Sequence, residues 1–373
     1  MTSHLASDAL PIEMTADGLI GRGAQAIFES IGQAKYVCLG EEHFIQEVPQ
    51  FAERLYGWLH KEKGFQNAVV ENDPYAMQIV MASRARTDSK SILEAFKQYP
   101  NLIAFNMPAE MDWLAYVCRN STSRQPVWGL DQNIGALHIL DRLAVLAPDK
   151  QSRDAVSRVI DHVRPIDSKR AGPDRPHYMS SPQAELDMAE LQRSYTAKPG
   201  SEARRILELI EMSAEVYADY RRAVRGIPGA MTNSNLRREG YMKASLTNQM
   251  RENGDPKLMF KFGMDHLGRG AGMLSGVFTL GNFISEIAAY KASSSVHIAI
   301  CGQNEKGQYG GTPWGQMFLK SAPKDHDSVF DLRPLRISIR TGRLKAPADF
   351  LRFVDGYDFL VVIAKPTPMP LNR

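Results

Sequence analysis

Seven short segments of this chain are apolar almost without interruption: KYVCLG (35–40), NAVVE (67–71), PVWGLD (126–131), KLMFKFG (257–263), GVFTLG (276–281), VHIAIC (296–301) and DFLVVIA (358–364). A strand with one face in water alternates apolar and polar residues, whereas a strand covered on both faces need not. These runs therefore predict a largely parallel central sheet flanked by helices, an α/β fold. The first two runs are joined by helical signals. Pro49 suits a helix start, Phe51, Leu55, Trp58 and Leu59 fall on one face, and Gly64 is placed to end the helix. Residues 36–71 thus read as a strand–helix–strand unit.

Between about 136 and 250 no strand is expected. SPQAELDMAELQRSY and SEARRILELIEMSAEVYADYRRAVRG are charged and amphipathic, and strand-like runs resume after them. The expected organisation is one α/β domain over 1–373 with a helical insertion. The bulk properties narrow the function. A net charge of +3 over 373 residues does not suit a dedicated nucleic-acid binder. No apolar stretch approaches the ~18 residues of a membrane span. The N-terminus lacks the basic and apolar regions of a signal peptide. Cys38, Cys118 and Cys301 are far apart and form no CxxC pair, so neither a disulfide framework nor a zinc knuckle is expected. The expected compartment is the cytoplasm and the expected partner a small molecule. Met242, Met250, Met259 and Met264 read as core fillers.

The polar residues fall in a pattern. The first strand runs into Gly40-Glu41-Glu42-His43, the second into Glu71-Asn72-Asp73, the third into Gly129-Leu130-Asp131 and the fourth into Gly263-Met264-Asp265-His266. In an open parallel sheet the carboxyl ends of the strands share one edge, and ligands bind there. Any one of these acids could cap a helix or solvate a turn. Four such endings together point to Glu41, Glu42, His43, Glu71, Asp131 and His266 as members of a site. Clustered charges in a partly dry cleft shift one another's protonation, which acid–base chemistry needs. No GxSxG elbow is present, and GRGAG (268–272) lacks the lysine of a phosphate-binding loop and reads as a tight turn.

These residues resemble the erythromycin esterase-like proteins and their wider superfamily, which also holds a haem-binding lipoprotein family and the TraB/Tiki group. The motif of strand, Gly-Glu, histidine and a glutamate four residues later is similar to Gly40, Glu41, His43 and Glu47. Glu71 matches the family's second strand end. Gly129 and Asp131 match its Gly-x-Asp. Arg238, Glu239 and Met242 resemble its Arg-Asp/Glu-x-x-Met helix, and YDFLVVIAKPTPM its closing strand and Thr-Pro tail. The likeness runs in order along nearly the whole chain. It departs where one residue, not two, separates Glu41 from His43, where Asp265-His266 stands in place of His-Asn-x-His, and where Ala52 replaces an arginine.

The resemblance implies a hydrolase acting on an ester-like bond without a cofactor. His43 would be the general base, with Glu71 or Glu41 orienting it and Glu42 in the same group, and His266 would assist the oxyanion or the leaving group. Glu47, Asp73, Asp131, Asp265 and Arg238 would bind substrate. Two alternatives come with the superfamily. One is a haem-binding protein with His43 or a tyrosine as axial ligand. The other is a hydrolase or peptidase with a divalent metal on His43, His266 and Glu71.

Overall fold

The computed structural model describes residues 8–82, 88–169 and 176–370. Its strands are β1 (Leu10–Pro11), β2 (Glu13–Thr15), β3 (Gly18–Ile20), β4 (Tyr36–Glu41), β5 (Asn67–Val70), β6 (Val127–Gly129), β7 (Leu258–Gly263), β8 (Ser295–Gly302), β9 (Ser328–Asp331) and β10 (Phe359–Ile363). Eight of them form one sheet in the order β1-β9-β10-β8-β4-β7-β5-β6, and β2 pairs with β3 in a separate hairpin. The pairs β10–β8, β8–β4, β4–β7 and β7–β5 are parallel. At the far edge β9 runs antiparallel to β10, and β1 antiparallel to β9. This is the α/β sheet that the apolar runs predict. The residues of β4, β5, β7 and β10 are all buried, as two covered faces require.

Three details differ from the expectation. GVFTLG is not a strand. Ala271 and Phe278 make a single bridge, and Thr279 then caps the helix Leu280–Tyr290 by accepting the N–H of Asn282 at 2.9 Å. β5 does not pair with β4, because β7 lies between them. The short strand β9, next to the edge strand β1, carries no long apolar run to announce it.

The chain divides into two compact units. The first is built on the described parts of Met1–Val70, Met107–Val127 and Asn248–Arg373, and the second on those of Glu71–Asn106 and Trp128–Thr247. In the first unit the helix Glu47–Lys63 ends at Gly64, whose left-handed conformation sends its N–H to His60 O. It buries Phe51, Leu55 and Leu59 and packs on the helix Pro108–Asn120, while Trp58 stacks on Phe28. On the other side of the sheet Trp314, Phe318, Phe350, Phe353 and Tyr357 form an aromatic core. In the second unit the helices Leu137–Val145, Lys150–Asp167, Pro182–Ser194 and Glu202–Val224 enclose a core that includes Ile139, Val156, Tyr178, Leu207 and Ile210. Buried Asp167 accepts the N–H of Ala136 at 2.6 Å and of Tyr178 at 3.3 Å, supplying backbone groups that water cannot reach. Among the described residues of 136–250 no strand occurs. The second unit also takes in residues on the N-terminal side of that stretch. No helix of the described residues is long and apolar enough to cross a membrane. All four methionines read as core fillers are buried.

Gly40 is part of β4, with Phe262 and Ala299 as its register partners, so it does not serve the turn. Its role is spatial. A Cβ at this position would lie 2.4 Å from the hydroxyl oxygen of Tyr357 and 3.0 Å from its ring. That ring is buried, and its hydroxyl donates to Met264 O. Gly40→Ala should therefore overpack the sheet face and cost about 1–3 kcal/mol. Chemical denaturation of Gly40→Ala, Tyr357→Phe and the double variant checks this. Removal of the hydroxyl should relieve part of the clash, so the double variant should lose less than the sum of the singles. Strict additivity would show that Tyr357 is not the obstacle.

Candidate functional site

Alternation along β4 puts Leu39 and Glu41 on one face and Cys38 and Gly40 on the other. Glu41 is the last residue of the strand and its register partner on β7 is Gly263. Its side chain is buried, and its Oε1 lies 3.0 Å from Nδ1 of His43. The imidazole itself remains partly open to solvent. The chain turns just after it. Phe44 takes a left-handed conformation (φ 67°), which is uncommon for a bulky residue, and exposes its ring. The C-terminal tail braces this turn: Met369 N–H donates to Phe44 O at 2.8 Å and Gln46 N–H to Thr367 O at 2.9 Å.

The two glutamates on either side of His43 serve the backbone. Glu42 accepts the N–H of Gly302 at 3.0 Å and of Gln308 at 3.1 Å, tying down the glycine-rich loop after β8. Burial raises its affinity for a proton, against the effect of those two donors. Glu47 accepts the N–H of Thr367 at 2.9 Å.

Beneath Glu41 lies a group that the sequence reading did not single out. Lys261, in the middle of β7, is register partner to Leu39 and so shares the face of Glu41. Its Nζ is 2.6 Å from Glu41 Oε2 and 2.8 and 2.9 Å from the two oxygens of Glu110, in the first turn of Pro108–Asn120. The ammonium also faces the Trp113 ring, 5.5 Å from its centroid, one turn further along that helix. All three charged groups are buried. Burial alone would drive a proton onto Glu41, but the charges of Lys261 and His43 prevail and hold its carboxyl below the usual range. For Glu110 burial wins over Lys261, and its proton affinity is raised. Burial disfavours the Lys261 ammonium, yet Glu110 and Glu41 outweigh that and raise its pKa. A lysine inside an otherwise apolar strand was the available signal. Glu110 gave none, since acids are common in a helix's first turn.

His266 is buried on the short helix Met264–Leu267, which begins directly at the end of β7. Because β4 and β7 are parallel with Glu41 opposite Gly263, His43 and His266 follow neighbouring strands at the same edge of the sheet. Asp265 accepts the N–H of Leu274 at 2.8 Å and of Ser275 at 3.2 Å and shapes the turn that holds them.

In the second unit Arg238, on the helix Ala230–Asn253, brings Glu71 and Asp131 together. Its Nε donates to Asp131 Oδ1 at 2.8 Å and a terminal nitrogen to Glu71 Oε1 at 2.6 Å. Burial opposes the guanidinium charge, and the two carboxylates overcome it. These three line a cavity of about 140 Å³ with Gln132, Tyr217 and the segment 102–105. Asp73 also borders it, and accepts the N–H of Ala76 at 2.8 Å as a cap for the helix Pro74–Ala82. Among the described residues no three His, Cys, Asp or Glu side chains are grouped to hold a metal ion, and the Glu71 carboxylate is engaged by Arg238. The arrangement around His43 is suited to proton transfer: an imidazole at a strand end with one ring nitrogen held by a buried carboxylate.

No protein-family model matches this sequence, and no curated protein does. Solved structures do match over its length. A protein of Bacillus cereus superposes with a TM-score of 0.61 at 17% identity, covering 100% of both chains. A substituted erythromycin esterase, EreC, in its open conformation gives 0.61 at 15% identity over 93% of this chain and 95% of that one. A succinoglycan biosynthesis protein gives 0.60 at 14% identity over 99% and 97%. At these identities the likeness is one of fold, and the fold of an erythromycin esterase is the one that the motifs of Gly40–Glu47, Glu71 and Asp131 resemble.

Proposed function

We propose that the protein is a hydrolase of ester-like bonds in which His43 is the general base. The observation that carries this reading is the Glu41–His43 pair at the carboxyl edge of a parallel sheet, 3.0 Å apart with the carboxylate buried and the ring partly exposed. The fold shared with an erythromycin esterase supports the same reaction class. Glu41, kept ionised, can only accept, so the His43 proton sits on Nδ1 and the lone pair on Nε2. That nitrogen takes a proton from water as the water oxygen attacks the carbonyl carbon. The carbonyl π electrons move to oxygen, and the imidazolium formed is stabilised by Glu41. Collapse of the tetrahedral oxyanion expels the alkoxide, which takes the proton back from Nε2. Positioned proton transfer of this kind is worth about 10²–10⁴ in rate. His266 supplies a donor to the oxyanion from the adjacent strand end. Glu42 and Glu47 hold the loop and tail around His43.

A panel of esters of varied acyl and alcohol size tests the reading. His43→Gln should lower turnover by at least about 10² with the circular dichroism spectrum unchanged. Glutamine keeps part of the shape but cannot accept the proton. A folded His43→Gln protein with wild-type turnover would exclude His43 as the base.

The pH dependence follows from the same chemistry. Only the neutral imidazole can take a proton, so activity should be low in acid and rise through a single ionisation between about pH 5 and 9. A rate that is flat over this window, with the fold intact throughout, would contradict the mechanism.

A further inference from the structure

The helices Glu202–Val224 and Ala230–Asn253 are joined by a turn whose apolar residues face water. Residues 224–229 are all exposed. The turn is nevertheless tightly built. Gly226, in the left-handed conformation (φ 80°), donates its N–H to Ala223 O at 2.9 Å, and Ile227 donates to Arg222 O at 3.1 Å. Gly229 is left-handed as well, and its carbonyl accepts the N–H of Asn233 at 2.9 Å. Helix ends of this kind commonly pack the residue after the glycine on an apolar side chain about one turn back. Here Arg221 and Arg222 stand at those positions, and Ile227 is left 53% exposed. Val224 is 71% exposed. Tyr220, also exposed, lies one turn before Val224 on the same helix face, and exposed Met231 follows in the first turn of the next helix. A single exposed apolar residue is ordinary, but four gathered at one turn mark an interaction surface.

The charges of the tip have one sign. From Tyr220 to Arg237 the sequence has four arginines and no acid. Acids outside that stretch engage three of them. Glu185 accepts from Arg221 and Arg222, Asp219 from Arg222 at 2.8 Å, and Glu215 from Arg237 at 2.6 Å. Arg225, next to Val224, is exposed and has no acidic partner among the described residues.

We propose that this hairpin tip is a docking surface for an anionic lipid bilayer. Val224, Ile227 and Met231 enter the boundary between headgroups and acyl chains, Tyr220 sits at headgroup depth, and Arg225 meets lipid phosphate. Charge complementarity selects this occupant. An unmatched cation beside exposed apolar side chains suits a surface that is negative at its rim and apolar beneath. A protein would need a groove fitted to so narrow a turn, whereas a fluid interface closes round it. Attachment of this type is peripheral and needs no spanning helix. It does not depend on the reaction proposed at His43.

Co-sedimentation of the full chain with vesicles tests the proposal, using equal parts phosphatidylglycerol and phosphatidylcholine in one set and phosphatidylcholine alone in the other. The wild type should bind the anionic vesicles, and at least about fivefold less to the neutral ones. On anionic vesicles Val224→Gln/Ile227→Gln should lower the partition coefficient at least about tenfold, and Arg225→Glu at least about fivefold. The altered side chains are exposed, so the circular dichroism spectrum and Tm should not move. Val145→Gln is the control. Val145 is exposed on the helix whose Arg142 pairs with Glu202, at the far end of Glu202–Val224 from the tip, and this variant should bind as the wild type does. A wild type that does not bind anionic vesicles overturns the proposal. So does unchanged binding in either tip variant, or an equal loss in Val145→Gln. A wild type that is dimeric by sedimentation velocity and monomeric as Val224→Gln/Ile227→Gln would assign the tip to a second copy of the chain, and overturns it too.

Discussion

The contact between Glu41 and Lys261 joins two neighbouring parallel strands by charge as well as by backbone hydrogen bonds. Strand alternation puts both side chains on the same face of the sheet, two residues out of register, so the lysine reaches along the strand direction to the carboxylate at its end. Neither charge is tolerable there alone. A buried ion pair of this kind is weak support for stability, since apolar residues of similar volume often serve as well. What apolar residues would not provide is a fixed negative charge at the point where β4 gives way to the loop. The rest of the local structure conforms to that point: the left-handed Phe44, the C-terminal tail bonded across residues 44–46, and the glycine-rich loop held on Glu42.

Much of the sheet is legible in the sequence because its central strands are covered on both faces and so carry unbroken apolar runs. β4, β5, β7, β8 and β10 are found this way. The rule fails at GVFTLG, where Val277 and Leu280 turn inward from a loop and a helix start, and Thr279 acts as the cap. It fails again at β9, a strand of four residues with only the two-residue β1 beyond it. Its last residue, Asp331, is spent on capping the following helix. Short strands owe their conformation to their neighbours more than to their own composition.

The candidate site is legible in part for a similar reason. Position at a strand end points to Glu41 and His43, which lie 3.0 Å apart. It does not separate them from Glu42, Glu47, Asp73 and Asp265, which have the same position or motif and are found bonded to backbone N–H groups. A carboxylate that caps a turn and one that holds a histidine look alike until the third dimension is known. Arg238 is set apart from its neighbour Arg237 in the sequence by the motif resemblance alone, not by any helical pattern. One faces Glu71 and Asp131, while the other pairs with Glu215 near solvent. Lys261 breaks an apolar run, and its meaning depends on Glu110, about 150 positions away in the chain.

The position of β7 between β4 and β5 has a consequence for how the chain reaches this state. β4 and β5 are made within the first seventy residues; β5 can meet β6 at residues 127–129, but β4 has no neighbour in the sheet until β7 and β8, residues 258–302, have been synthesised. Everything from Glu71 to Thr247 that belongs to the second unit emerges first. That unit has its own core, and its helices can collapse on local contacts while the centre of the sheet waits. Closing a parallel sheet around strands made this late means high contact order and slow completion. During that interval both edges of β4 and one edge of β5 are open to wrong partners, an exposure that the finished sheet no longer shows.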